Sequence, residues 1–295
     1  MTFRSGFAAF VGRPNAGKST LTNALVGSKI VITSAKPQTT RHAVRGIVTR
    51  DDAQLILVDT PGLHRPRTLL GQRLNDVVRA TLSEVDVIGF CVPADQKIGP
   101  GDRFIAAELA QLRAPVVGIV TKTDTSSRQQ IAAQLLALND LGDFADIVPV
   151  SAVAGDQVDL LADVLVTHLP EGPMLYPGDV TTDNDTETRI AEMIREASLE
   201  GVRDELPHSI AVTVDEMRPR EGRPDITEVY ATIHLERDSQ KGIVIGHQGG
   251  RLKYIGTTAR AGIEGLLGGK VHLDLHVAVE ADWQRDPKKL DRLGF

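Results

Sequence analysis

The run GRPNAGKST at 12–20 places a lysine and a hydroxyl directly after a glycine, with a second glycine five residues upstream. Gly12 to Ser19 satisfies G-x-x-x-x-G-K-[ST], and the run lies after an apolar stretch and before an amphipathic one. Gly12 and Gly17 let the backbone curl, so that the N–H groups around Asn15, Ala16 and Thr20 face phosphates. Lys18 is expected to reach the β- and γ-phosphates and Ser19 to bind Mg²⁺. The stretch DTPG at 59–62 follows an apolar run. Asp59 is thus placed to hold Mg²⁺ through water, and Gly62 to turn its amide toward a γ-phosphate. TKTD at 121–124 and SA at 151–152 also end apolar runs. Asp124 can accept two hydrogen bonds from the guanine edge, which adenine cannot supply, so the wrong base would leave a carboxylate unpaired. Lys122 can cover the base with its stem, while Ser151 and Ala152 present an amide to the guanine oxygen. Four such elements in this order point to GTP.

A second glycine-rich turn, GIVIGHQGGRLKYIG at 242–256, has no lysine and hydroxyl at the spacing a second phosphate loop needs. It carries G-x-x-G instead, at Gly246, His247, Gln248 and Gly249. Glycines there keep Cβ atoms away, so that a sugar-phosphate backbone can approach. Between Ser239 and Ile263 there is no acidic residue, while Lys241, Arg251, Lys253 and Arg260 are present. That local basic island suits phosphates. A solvated helix face is the plainer reading of such charges.

These residues need a scaffold. FAAFV (7–11), QLILVD (54–59), VDVIGFCV (85–92), PVVGIVT (115–121) and ADIVPVS (145–151) read as buried strands. HAVRGIVTR (42–50) reads as an additional edge strand. RFIAAELAQL (103–112), RQQIAAQLLAL (128–138) and VDLLADVLVTHL (158–169) have helical spacing. Alternating strands and helices imply an α/β fold with a mostly parallel sheet. The proline- and glycine-bearing PEGPMLYPGD at 170–179 suits a linker. Beyond it the order becomes α-β-β-α-α-β: a helix at 187–206, strands at 209–217 and 227–237, the glycine turn, a helix to Leu267 and a strand at 270–280. Ile243, Ile245, Leu252 and Ile255 flank the turn. Helix, tight GxxG turn and helix in this order is how a KH domain clamps single-stranded RNA. The expected division is a GTPase domain at 1–170, a linker at 171–185 and an α+β, type II KH domain at 186–295.

GRPNAGKST, KPQTTR, DTPG, TKTD and SA together resemble the translation-factor-like class of small GTPases, especially the group holding Era and its relatives. A single GTPase domain followed by one KH domain is the arrangement of that group, and the resemblance covers nearly the whole chain. It implies that Thr40 of KPQTTR, with Thr39 as the alternative, is the first-switch threonine that reaches Mg²⁺ and the γ-phosphate. Lys18, Thr40, Asp59 and Gly62 then form the expected catalytic set. Leu63 follows DTPG, where a glutamine could orient water, so unassisted hydrolysis is expected to be slow, on the order of 10⁻⁴ s⁻¹. The resemblance also implies that Asn15 holds K⁺ near the phosphates; a loop-stabilising amide is the other reading. Thr121 stands where the family has asparagine, which is expected to loosen the base loop and lower affinity. The family commonly carries lysines inside the GxxG turn, where this chain has His247 and Gln248, so the turn is expected to rely on its backbone. The implied partner is single-stranded RNA at the 3′ end of small-subunit 16S ribosomal RNA, and the implied role is assembly of the 30S subunit. The alternative is a signalling GTPase whose C-terminal domain binds a protein.

Bulk properties agree with this. At 295 residues, 41% hydrophobic and 24% charged, the chain suffices for two globular domains. Its net charge of −6 argues against a generally basic nucleic-acid binder, and 4% aromatic content argues against recognition by several stacked rings. The short polar start running into an apolar strand reads as no secretory signal, and no apolar run approaches bilayer length. The one cysteine, Cys91, reads as a core residue. A cytoplasmic monomer is expected; the resemblance adds weak peripheral association with the inner face of the cell membrane. His272 and His276 share a strand face without a third ligand and read as ordinary histidines. Trp283 reads as a packing residue.

Overall fold

The computed structural model describes residues 2–34, 36, 39–63, 66, 68–202 and 206–295. Pro37 and Gln38 of the KPQTTR stretch, and 203–205 of the helix expected to reach 206, lie outside the described residues. The chain divides into two compact units, with the main boundary between Asp183 and Asn184.

The first unit runs β1 (Arg4–Val11), α1 (Lys18–Val26), β2 (Val44–Thr49), β3 (Ala53–Asp59), α2 (Leu69–Glu84), β4 (Val87–Pro93), α3 (Pro100–Leu109), β5 (Val116–Thr121), α4 (Arg128–Asn139), β6 (Asp146–Pro149) and α5 (Val158–Thr167). Its six strands lie in the order β2-β3-β1-β4-β5-β6, parallel except for β2, which pairs antiparallel with β3 at the edge. β3 and β4 are buried at every residue, because helices cover both sheet faces. Cys91 lies in this core, and burial pushes its thiol pKa up to about 12. The helix α2 has no counterpart among the expected elements; Leu70, Leu74, Val78 and Leu82 bury one of its faces. Residues 171–183, expected to be linker, are fastened along this unit. Gln54 binds Leu175 and Tyr176 through their backbones, and Ile47 N–H donates to the Thr181 carbonyl at 2.9 Å.

The second unit runs α6 (Thr186–Leu199), α7 (Leu206–Ser209), β7 (Ala211–Arg220), β8 (Arg223–Leu235), α8 (Asp238–Ile245), α9 (Gly250–Leu267), β9 (Lys270–Val279) and α10 (Pro287–Arg292). β7 and β8 are antiparallel, β8 and β9 parallel. The long helix α6 ends at Leu199, short of the expected 206. Trp283 is fully buried, donates to the Ser209 carbonyl at 3.2 Å and stacks on Phe295. His272 and His276 are exposed, and no metal-binding cluster occurs among the described residues. No helix among them is long and apolar enough to cross a membrane.

Candidate nucleotide site and GxxG turn

The phosphate loop joins β1 to α1, and its backbone explains its glycines. A Cβ on Gly12 would stand 2.5 Å from the Cys91 carbonyl oxygen of β4. Gly17 caps α1 with φ 87°, a left-handed conformation that favours glycine. Asn15 is also left-handed, at φ 63°, and exposed. No side chain caps α1, so its first N–H groups are left for an anion. The Lys18 ammonium is held 3.3 Å from the carbonyls of both Gly12 and Arg13. Burial lowers the pKa of Lys18, and Asp59 opposes that shift.

Ser19, Thr40 and Asp59, expected together around Mg²⁺, converge. Both hydroxyls donate to Asp59 Oδ2, at 2.8 and 3.0 Å, and lie 2.9 Å from one another. Two hydroxyl protons cannot serve three such contacts at once. Asp59 Oδ1 is buried without a hydrogen-bond partner, and burial raises the carboxyl pKa. A cluster of hard oxygens, one of them a buried carboxylate oxygen without a hydrogen-bond donor, fits a divalent cation. Gly62 lies against the phosphate loop, where a Cβ would come within 3.1 Å of Pro14 N.

At the base end, Lys122 is left-handed and its ammonium lies 4.0 Å from Asp95. Asp124 is exposed, and its Oδ1 accepts from the buried Ser151 hydroxyl at 2.6 Å. That hydroxyl in turn accepts from Ala154 N–H, so the SA loop and the Asp124 carboxylate are locked together. Ala152 is half-buried beside it. Thr121 departs from the expectation of a loosened loop. Its hydroxyl donates to the Ala16 carbonyl at 2.7 Å in a buried contact, tying β5 to the phosphate loop directly.

In the second unit, Gly246 and Gly249 have φ 74° and 75°, and Gln248 is left-handed at φ 49°. A Cβ on Gly246 would stand 2.7 Å from Arg251 Cβ, whereas one on Gly249 or Gly250 would meet nothing within 4 Å. The turn is therefore tight on one side and open on the other. His247, Gln248 and Lys253 are exposed there, and Lys241 is half-exposed. Arg251 differs from the expected phosphate contact: its Nη2 donates to the Ser198 and Glu200 carbonyls, closing the end of α6. Ile243 differs too. Val244 fills the core, so the adjacent Ile243 is turned out and 53% exposed, while Ile255 is buried. Tyr254, 54% exposed beside the turn, donates to Glu200 at 2.6 Å.

A family model described as 50S ribosome-binding GTPase matches residues 7–122, and a KH domain model matches 205–284. GTPase Era of Streptomyces coelicolor is 65% identical, over 99% of this chain and 95% of its own length. The chain belongs to the Era family of GTPases. Another Era, from a Nocardioides species, is 64% identical over 99% of this chain and 96% of its own. Two Era crystal structures match with TM-score 0.96 and 36% identity over 99% of both chains. One holds MgGDPNP and nucleotides 1506–1542 of 16S ribosomal RNA; the other, an Aquifex aeolicus variant, holds GDP with aluminium fluoride. As an Era-family member, this chain is a P-loop GTPase with a C-terminal KH domain. Sequence reasoning missed Arg13 and Asp102, whose side chains pair beside the phosphate loop, and the outward turn of Ile243.

Proposed function

We propose that this GTPase is a switch whose KH domain binds single-stranded RNA like the 16S fragment held by its relative, in small-subunit assembly. The observation that carries this is the GxxG turn with its open flank, with Lys241 on the helix before it and the exposed Lys253 on the helix after it. Glycine backbone without neighbouring atoms admits four nucleotides closely, and the lysines meet their phosphates.

Ser19 and Thr40 would hold Mg²⁺ directly and Asp59 through water. When bound, the metal supplies charge to the β- and γ-phosphates. The chain's own residues do the rest. Lys18 brings a buried positive charge to the same oxygens, where low dielectric strengthens it. Gly62 and Thr40 respond to the γ-phosphate and relax once it is gone. The exposed Asn15 amide is the group we assign to K⁺, which would add charge where no glutamine follows Gly62. Asp124, oriented by Ser151, selects guanine. Residues 1–170 form the nucleotide domain and 186–295 the RNA domain, in a chain that works as a cytoplasmic monomer.

The test is titration of labelled RNA from the 3′ end of 16S ribosomal RNA with GTP analogue, GDP or no nucleotide. Salt-sensitive binding that differs between nucleotides is expected. Equal affinity in all three states would rule out the switch, since a ligand shifts only what it binds differentially.

A further inference from the structure

Arg13 and Asp102 lie 89 residues apart, outside the groups that contact nucleotide in the reading above, yet they form a bond in the part-buried floor of the phosphate loop. Arg13 Nε donates to Asp102 Oδ1 at 2.7 Å, and Asp102 is fully buried. The other carboxylate oxygen, Oδ2, accepts from Gly99 N–H at 2.8 Å, closing the cap of α3. One carboxylate thus joins a helix end to a loop. The Arg13 stem lies on Gly101, whose Cβ would stand 3.0 Å from Arg13 Cδ. The main chain of the same arginine does the second half of the work. Its carbonyl accepts from Lys18 Nζ at 3.3 Å and from Ala16 N–H at 3.2 Å.

We propose that Asp102 is a positioning residue for the phosphate loop, acting through Arg13. The ion pair fixes the arginine side chain against α3, and that sets the direction of the Arg13 carbonyl. The carbonyl in turn places the Lys18 ammonium and the Ala16 turn. Thr121 holds the same loop from the other side, at the Ala16 carbonyl. The loop is therefore braced between α3 and the end of β5 rather than carried by its own glycines alone. Burial is what gives the brace its stiffness, since a buried carboxylate without its partner is costly and so keeps it.

The inference rests on the GTPase reading, and the experiment separates the two. Asp102→Asn keeps an oxygen for Gly99 N–H but turns an amide toward Arg13, so the cap survives and the brace is lost. Release of a fluorescent GDP analogue is expected to accelerate on the order of tenfold to a hundredfold, the range that loss of a charge-assisted hydrogen bond spans. The preference for GDP over ADP should persist, because Asp124 is untouched. Arg13→Gln, at a side chain 28% exposed, should have the same effect and carries the test if Asp102→Asn does not fold. The double variant should be no worse than the worse single variant, as expected for partners in one interaction. Release at the wild-type rate in both single variants, additive effects, or equal loss of base preference would each overturn the brace. A wild-type protein that binds no guanine nucleotide would instead overturn the functional reading.

Discussion

At Thr121 a single hydroxyl proton is committed to the Ala16 carbonyl, and nothing else in the side chain can replace it. Thr121→Val keeps the shape and removes the donor, leaving a buried carbonyl unpaired. That costs about 1–2 kcal/mol, roughly tenfold in affinity. GDP affinity by isothermal titration should fall by that factor, and Thr121→Ser should restore it. An unchanged Thr121→Val would show that the tie contributes nothing to binding. The position also shows what a sequence conceals. Gly12, Lys18, Ser19, Asp59 and Asp124 stand out in the sequence because the proposed chemistry requires those residue types at that spacing. The direction of the Thr121 hydroxyl does not, because its partner lies 105 residues away. Asp102 was hidden for the same reason: GPGD reads as a helix start, and only the fold brings Arg13 to it.

Among elements, the alternating order was legible from short β-branched runs, and α2 was the exception. Its buried leucines and valine recur every fourth residue at 70, 74, 78 and 82, but arginines, asparagine and aspartate between them obscure the stripe. Helix ends depend on finer contacts. Asp185 caps α6, accepting from Thr188 N–H at 2.8 Å and Thr188 Oγ1 at 2.7 Å. The backbone bond, then the hydroxyl bond, hold its carboxyl below the usual carboxylate range. A depressed folded-state pKa adds stability that is present above the unfolded value, about 3.9, and is lost as pH falls through the folded value. Asp185→Ala should therefore cost about 1 kcal/mol at neutral pH, with the gap to wild type closing in acid. Urea unfolding at several pH values measures it, and a pH-independent gap would contradict the cap. At the other end of α6, Arg251 satisfies the last carbonyls from α9. Arg251→Ala should lower stability by about 1–3 kcal/mol, as for a charge-assisted hydrogen bond. The salt dependence of RNA binding should stay unchanged, whereas Lys253→Ala should reduce its slope by about 0.7. A reduced slope in Arg251→Ala would restore that residue to the phosphate contacts.

Across the whole molecule, the proposed switch requires a path from a γ-phosphate in the nucleotide domain to RNA at the KH domain. Composition reads as a linker at 170–179, and the chain there is held to the first unit. Gln54 is fully buried, and its amide makes three bonds to Leu175 and Tyr176 and one to Thr49. Farther on, Asp183 accepts from Arg45 at 3.0 Å and from the Tyr176 hydroxyl at 2.9 Å. Arg45 sits in β2, five residues after Thr40, and β2 pairs with β3 up to Asp59 itself. A γ-phosphate drawing on Thr40, as proposed, would act on the strand to which the chain leading into the KH domain is fastened. Coupling between two sites is reciprocal, so a GTP analogue that changes RNA affinity is itself changed by RNA in the same ratio, commonly about 5- to 150-fold. Asp183→Ala releases both Arg45 and Tyr176 without touching either binding site. That ratio should fall toward one in the variant, while each ligand alone binds as in wild type. Fluorescence titration of RNA with GTP analogue and with GDP reads it directly. A ratio equal to that of wild type would mean that the signal leaves the nucleotide domain by a route other than β2.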